Sequence, residues 1–338
     1  MKLEGVSCGY QKKIIVRDVE LTIGRGEILS LVGPNGGGKS TLLKSISGNL
    51  KLLGGTVYVG KEELYRLTPK ELARQMSIVT TERIRPQLMT CFEVVMAGRL
   101  PYTDGFGRPG KEDERAAEEA VRLMKLQELE DRPYMDLSDG QKQRTLIARA
   151  VCQSPEILVM DEPTSYLDIR HRMELMETVK ALAKGGVTVI MSLHELELAL
   201  KVSDRLLVVY EDGRTEAAAP EEAVQRGLIK KAFALDDAMY EQLLAGLSPS
   251  LGIKKGGATG YANRECRYFP CHAVAEEEFN CLFCYCPLYP YPDCGGSYTC
   301  AKTGVKNCRD CGFPHERKNY AEVVRRLKER MHEKCKLP

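Results

Sequence analysis

Short runs rich in β-branched and apolar residues open the chain at Lys2 to Cys8, Val19 to Ile23, Glu27 to Val32 and Thr56 to Val59. Turns at Gly9, Gly24-Arg25-Gly26 and Gly54-Gly55 separate them, so these runs predict strands. Helical signals follow. Lys39 to Ser47 reads as a helix that Gly48 ends. Thr68-Pro69-Lys70-Glu71 sets a cap, a first-turn proline and a capping-box glutamate ahead of Leu72, and Thr90 with Glu93 repeats that spacing before Val94, Val95 and Met96. From Lys111 to Leu126 the apolar positions Ala116, Ala120, Leu123 and Met124 recur at helical spacing beneath a charged face. Ile157 to Met160 and Val187 to Ser192 are short continuous apolar runs, as expected of strands buried on both faces of a parallel sheet. Helices are expected at Gln141 to Val151, Asp168 to Ala183 and His194 to Val202, so the alternation predicts an α/β core.

The cysteines divide the chain. Of thirteen in 338 residues, Cys8, Cys91 and Cys152 are scattered over the first 250, and the other ten fall between Cys266 and Cys335. The expected organisation is a first domain over 1–250, a Gly-Lys-rich linker over 251–262 and a cysteine-dense module over 263–338. A net charge of +2, few aromatic residues and no tryptophan give no support to nucleic acid as a partner. Neither a leader nor a bilayer-length apolar run is evident, so a cytoplasmic chain is expected, reaching a membrane only through a partner.

Candidate chemistry begins at Gly33-Pro34-Asn35-Gly36-Gly37-Gly38-Lys39-Ser40-Thr41, between a predicted strand and a predicted helix. That is the sequence form of a P-loop for a nucleoside triphosphate. Glycine-freed N–H groups cradle phosphates, Lys39 adds a point charge, and Ser40 offers its hydroxyl to Mg2+. Ile157-Leu158-Val159-Met160-Asp161-Glu162 is an apolar strand ending in two acids. Asp161 then belongs to the Mg2+ shell, and Glu162 polarises the attacking water.

Leu137-Ser138-Asp139-Gly140-Gln141 makes the comparison specific, because it resembles the Leu-Ser-Gly-Gly-Gln signature of the ATP-binding cassette (ABC) ATPases. The resemblance covers about Met1 to Gln225, with Ser165-Tyr166-Leu167-Asp168 as the D-loop and His194 as the switch histidine. It implies a P-loop NTPase core with a helical signature subdomain, ATP hydrolysis, and Tyr10 stacked on adenine. It also implies a head-to-tail homodimer in which Ser138, Gly140 and Gln141 of one subunit face the ATP held by the other. Glu162, His194 and Lys39 are the expected catalytic residues. Asp139 replaces the usual glycine and is expected to point away from the γ-phosphate. The usual glutamine after the strand Met76 to Val79 is missing, and its role falls to Thr81 or Glu82 or shifts to Gln87.

Thr90 to Tyr102, ending Gly98-Arg99-Leu100-Pro101-Tyr102, resembles the ATPase subunits of importers for ferric siderophores, haem and cobalamin. In those proteins the segment helps form the groove for a permease coupling helix. The resemblance implies a peripheral subunit at the cytoplasmic membrane face, two permease chains and, indirectly, an extracytoplasmic substrate-binding protein. The alternative is a soluble ABC-type ATPase that handles metal or cofactor through its cysteine module.

That module reads Cys266, Cys271, Cys281, Cys284, Cys286, Cys294, Cys300, Cys308, Cys311 and His315, with two CxxC pairs. The spacing is that of metal ligands, and so small a module gains folding energy from a metal. Zinc is expected, with an iron–sulfur cluster as the alternative. Cys266 to His315 resembles a small cysteine-rich domain regarded as metal-binding and found near cobalamin metabolism. Cys335 is expected to stand aside, and the tail Asn319 to Met331 to pack its apolar stripe on its own domain.

Overall fold

The chain opens with a hairpin in which β1 (Lys2–Tyr10) and β2 (Lys13–Thr22) pair antiparallel. Gln11 and Lys12 connect them at φ +48° and +69°, the two-residue turn whose twist matches its strands. The turn that the pattern predicts at Gly9 therefore falls two residues later, and the strand predicted at Val19 to Ile23 is the end of a longer one. This is a computed structural model, and it describes residues 1–82, 84–103, 107–240, 243, 288, 294–297, 299–300, 306–307 and 311–334.

Next come β3 (Ile28–Val32), α1 (Lys39–Ile46), β4 (Gly54–Val59), β5 (Glu62–Glu63), α2 (Pro69–Gln75) and β6 (Met76–Val79). α3 (Cys91–Met96), α4 (Lys111–Leu123) and α5 (Asp139–Cys152) pack on one another as a helical layer. β7 (Ile157–Met160), α6 (Ile169–Lys184), β8 (Thr188–Ser192), α7 (Leu196–Val202), β9 (Arg205–Val209) and β10 (Thr215–Ala218) complete the core. One sheet has the order β2-β1-β4-β5 and the other β10-β9-β3-β8-β7-β6. In the second, β6, β7, β8, β3 and β9 are parallel, and β3, β7 and β8 are buried at every position. The apolar runs needed no alternation because both faces of this sheet are covered.

Caps decide where helices start. Thr68, Thr90 and Ser138 each accept from the N–H three residues on, and Glu71, Glu93 and Gln141 return the bond to the cap residue's N–H. α5 therefore begins at Asp139, two residues before the predicted start. α7 begins only at Leu196, leaving His194 in the turn after β8. On α4 the buried face is Asp113, Ala117, Ala120 and Val121, whereas Ala116 is half-buried and Leu123 is exposed. The predicted stripe is rotated because Asp113 turns inward to meet a buried cation.

The chain divides into two units, Met1–Leu251 and Gly252–Pro338. The linker expected at 251–262 lies outside the described residues. In the second unit a helix, Tyr320–Lys334, buries Val323 against Leu288 and Cys294, with Phe313 and Leu327 packed around them. The tail's apolar stripe thus packs within its own unit. Arg325 and Arg326, however, pair with Glu322. No helix among the described residues is long and apolar enough to cross a membrane.

Candidate nucleotide site

The site forms at the carboxyl ends of β3, β8 and β7, neighbours in the parallel sheet. Gly38 caps α1 in the left-handed region, φ +101°. A Cβ there would lie 2.7 Å from Ile15 Cγ2, so only glycine lets the loop settle on β2. Lys39 opens α1 and is buried, with Nζ donating to the carbonyls of Gly33 at 2.7 Å and Pro34 at 2.9 Å. Burial lowers the pKa of its ammonium, against the opposing pull of Glu162 and Asp161. Ser40 and Thr41 follow in the first turn of the helix, and Asn35, Gly36 and Gly37 form the bend before it.

Asp161 is the hub. Its Oδ1 accepts from Ser192 Oγ at 2.6 Å and from Ser40 Oγ at 3.0 Å. Its Oδ2 is buried with no hydrogen-bond partner among the described residues. Leaving a buried carboxylate oxygen unpaired costs about 1–3 kcal/mol or more. That oxygen and the Ser40 hydroxyl are hard donors of the kind Mg2+ takes, so the residues present fit the ion.

Glu162 occupies the left-handed region at φ +48°, unusual for a non-glycine residue. Its N–H donates to Ser192 Oγ at 2.8 Å, and its Oε1 lies 2.5 Å from His194 Nε2. Ser165 Oγ, on the D-loop, reaches its Oε2 at 3.4 Å. The next residue, Glu195, accepts from Thr164 Oγ1 at 2.9 Å and pairs with Arg172 at 2.9 Å. Arg172 in turn donates to the Leu167 carbonyl at 2.8 Å. The switch turn and the D-loop are thus tied together twice. Neither Ser192 nor Glu195 was among the expected site residues. Their signals were a serine ending an apolar strand two positions before His194, and an acid directly after that histidine.

The signature residues belong to a different wall. Ser138 and Gln141 cap each other at 2.9 and 3.3 Å, and a Cβ on Gly140 would lie 3.1 Å from the Tyr166 carbonyl. Gln141 therefore spends its side chain on the cap, and the start of α5 borders the D-loop. Asp139 is exposed in that first turn, where a negative charge suits the helix dipole. Tyr10 ends β1 and is 47% exposed. Of the three candidates for the missing glutamine, Glu82 is the one held to the P-loop helix, by Lys44 at 2.8 Å. Thr81 and Gln87 are exposed.

In the Gly98 to Tyr102 segment most of the conspicuous residues are structural. Arg99 is buried and donates to Asp113 Oδ1 at 2.8 Å and to the Cys152 carbonyl at 3.0 Å, with the Tyr102 ring 3.9 Å from its guanidinium. Gly98 lies so close to α5 that a Cβ would come 2.2 Å from the Arg149 carbonyl. Within this segment Leu100, 62% exposed, faces outward.

In the C-terminal unit Cys294, Cys311 and His315 are buried. Cys266, Cys271, Cys281, Cys284, Cys286, Cys308 and Cys335, and the side chain of Cys300, lie outside the described part. Among the described residues no three His, Cys, Asp or Glu side chains form a metal-holding group.

Residues 16–165 match the ABC transporter family, and residues 258–337 match the cysteine-rich small domain. An uncharacterised ABC transporter ATP-binding protein of Methanocaldococcus jannaschii is 39% identical over 245 residues, 72% of this chain and 84% of that one. The iron(3+)-hydroxamate import ATP-binding protein FhuC of Bacillus subtilis is 34% identical over 237 residues, 70% and 88% of the two chains. Among solved structures, a dimeric post-hydrolysis ATP-binding cassette bound to ADP and phosphate matches with a TM-score of 0.57 and 29% identity, covering 65% of this chain and 98% of that one. The chain belongs to the ATP-binding, ATP-hydrolysing subunits of ABC transporters.

Proposed function

We propose that this subunit powers import of an iron–siderophore or a related chelate such as haem or a cobalamin. It acts as a homodimer closed by ATP at the cytoplasmic face of the membrane, beneath two permease chains fed by an extracytoplasmic binding protein. The observation that carries the substrate class is the similarity to an iron(3+)-hydroxamate import subunit over 70% of the chain. The Gly98 to Tyr102 segment, packed on α5 and leaving Leu100 outward, supports the same reading.

In this reading Lys39 binds the outer phosphates and Tyr10 stacks on the base, while Ser40 and Asp161 hold Mg2+. When bound, the ion neutralises phosphate charge and orients the γ-phosphoryl group. Glu162 accepts the proton of the attacking water, and His194, within hydrogen-bond reach of that carboxylate, fixes its direction and meets the γ-phosphate. Ser138 and Gly140 of the second subunit complete the site with helix N–H groups. Opening after hydrolysis passes to the permease as alternating access.

The C-terminal thiols take zinc in this reading, with an iron–sulfur cluster as the other occupant compatible with thiolate donors. The 258–337 match to a cysteine-rich small domain supports a metal. It also favours the second reading, a soluble ATPase that passes metal or cofactor through this unit. Affinity isolation from gently solubilised membranes separates the two. A polytopic permease in stoichiometric yield supports the importer; recovery from the soluble fraction alone supports the second reading.

A further inference from the structure

Two buried thiols of the C-terminal unit, Cys294 and Cys311, come to one residue, and neither is in a disulfide. Between them in sequence, Thr299 pairs antiparallel with Asn307 and Cys300 with Lys306, which returns the second segment alongside the first. Cys294 Sγ lies 3.9 Å from the Gly296 carbonyl oxygen. From the other segment, Cys311 Sγ sits where a Cβ on Gly296 would collide with it. Gly295, at φ +85°, supplies the left-handed step just before. The glycine pair thus bends the chain against both sulfurs.

A cation stands beside this bend. A Cβ on Gly295 would lie 2.8 Å from Arg326 Cζ, so the guanidinium rests on the residue that follows Cys294. Arg326 Nε donates to Glu322 Oε1 at 2.7 Å, which fixes its direction. Both belong to the helix Tyr320–Lys334, whose Val323 packs with Cys294 and Leu288. Thiols that served only as core packing would call for neither a side-chain-free backbone at the sulfur nor a guanidinium next to it. Thiolates on a metal call for both: the bare backbone approaches the sulfur closely, and a zinc ion with more than two thiolates carries excess negative charge that the guanidinium offsets.

We propose that Cys294 and Cys311 ligate the same zinc ion, that Gly295-Gly296 is the backbone bend of this site, and that Arg326 is its positioning residue, through which the ion fixes the helix Tyr320–Lys334. The proposal rests on the metal reading of this unit and deepens it by naming which two thiols share an ion and what that ion holds in place. On binding, each thiol gives its proton to solvent and its sulfur lone pair to zinc.

The test uses the full chain, purified with zinc and freed of excess, with ATP binding as the control for the first unit. Cys294→Ser and Cys311→Ser should each lose about one equivalent of zinc on elemental analysis, and the double variant no more than either. Arg326→Met should keep its zinc on purification but yield it to a competing chelator about 10-fold more readily, with Arg326→Lys recovering part of the difference. Protease cleavage within Tyr320–Lys334 should quicken on chelation in wild type and be fast at the outset in both serine variants. If those variants misfold, alkylation of the wild-type chain mapped by mass spectrometry carries the test: the two thiols should become reactive together as chelator withdraws zinc. Unchanged zinc in both single variants, additive loss in the double variant, or labelling of the two thiols that ignores the chelator overturns the shared site and leaves metal elsewhere in the unit. A wild-type chain that holds no metal removes the metal reading and this site with it.

Discussion

His194 Nε2 and Glu162 Oε1 stand 2.5 Å apart, and the same Glu162 is held at φ +48° by an N–H bond to Ser192. A left-handed glutamate costs of order 1–3 kcal/mol, and that strain persists only where the surroundings fix it. The carboxylate is thus met by His194 and Ser165, while Ser192 fixes the backbone beneath it. Glu162→Gln keeps the shape and removes the base. Hydrolysis should fall by about 10²–10⁴-fold while ATP still binds, and the variant should accumulate as a dimer in ATP on gel filtration. Normal turnover in this variant would remove Glu162 from the water-activating role.

Asp161 gives a second expectation because its Oδ2 is buried without a partner while its Oδ1 is shared by Ser40 and Ser192. Asp161→Asn preserves volume but replaces one anionic donor with an amide. The gain in ATP affinity on adding Mg2+ should shrink by about 10-fold or more, with the metal-free affinity changed far less. Titration of a fluorescent nucleotide with and without chelator reads both. An undiminished Mg2+ effect would place the ion elsewhere.

Local chemistry made much of this site legible in advance. A phosphate loop needs contiguous glycines, Lys39 and Ser40, so the pattern is written along the chain. The caps at Thr68 and Thr90 are legible for the same reason, since both partners lie three residues apart. Ser192 and Glu195 act through contacts some thirty residues away in sequence, with Asp161 and Thr164, and only the sheet order brings these together. Asp113 looked like one more exposed acid on a charged helix face. Its burial depends on Arg99, a residue whose sequence context points instead to the docking segment. The Gln11-Lys12 turn carries no sequence signal because neither residue is a usual left-handed turn former.

The zinc expectation concerns the second unit alone. Protein purified without added metal should carry zinc on elemental analysis, and a strong chelator should abolish the ordered signal of the Cys266 to Cys335 region while nucleotide binding by residues 1–250 persists. Chelator-treated protein that keeps all its structure would argue against a structural metal, and iron with visible absorption would replace zinc by a cluster.

Glu195 joins the switch turn to the D-loop through Thr164 and Arg172, so it should matter to timing more than to nucleotide affinity. Glu195→Ala frees both partners and leaves Glu162 and Lys39 in place. The expected result is a kcat lower by about 10-fold or more, a KM for ATP near wild type, and weaker cooperativity in ATP. Arg172→Met should give much of the same loss, and the double variant little more, because coupled residues are not additive. Fully additive losses would mean that the two act separately.

Arg99 and Asp113 set the last expectation, for stability. The pair is buried, with side chains 11% and 10% exposed. Asp113 also accepts the Gly110 N–H at 2.9 Å, and that bond, followed by Arg99, holds its carboxyl below the usual aspartate range against the effect of burial. Because the native pKa is depressed, the unfolded chain binds the proton first as pH falls. The pair's stabilisation is therefore complete above the ordinary aspartate value, about 4, and is lost as pH drops through the lower native one. Asp113→Ala strands the Arg99 charge beside Cys152 and should cost about 3–5 kcal/mol in denaturant unfolding at neutral pH. Asp113→Asn, which can still hydrogen-bond, should cost less, and the difference between wild type and variant should narrow in acid. Equal stability of Asp113→Ala and wild type at pH 7 would mean that Arg99 is held by the Cys152 carbonyl and Tyr102 without its carboxylate.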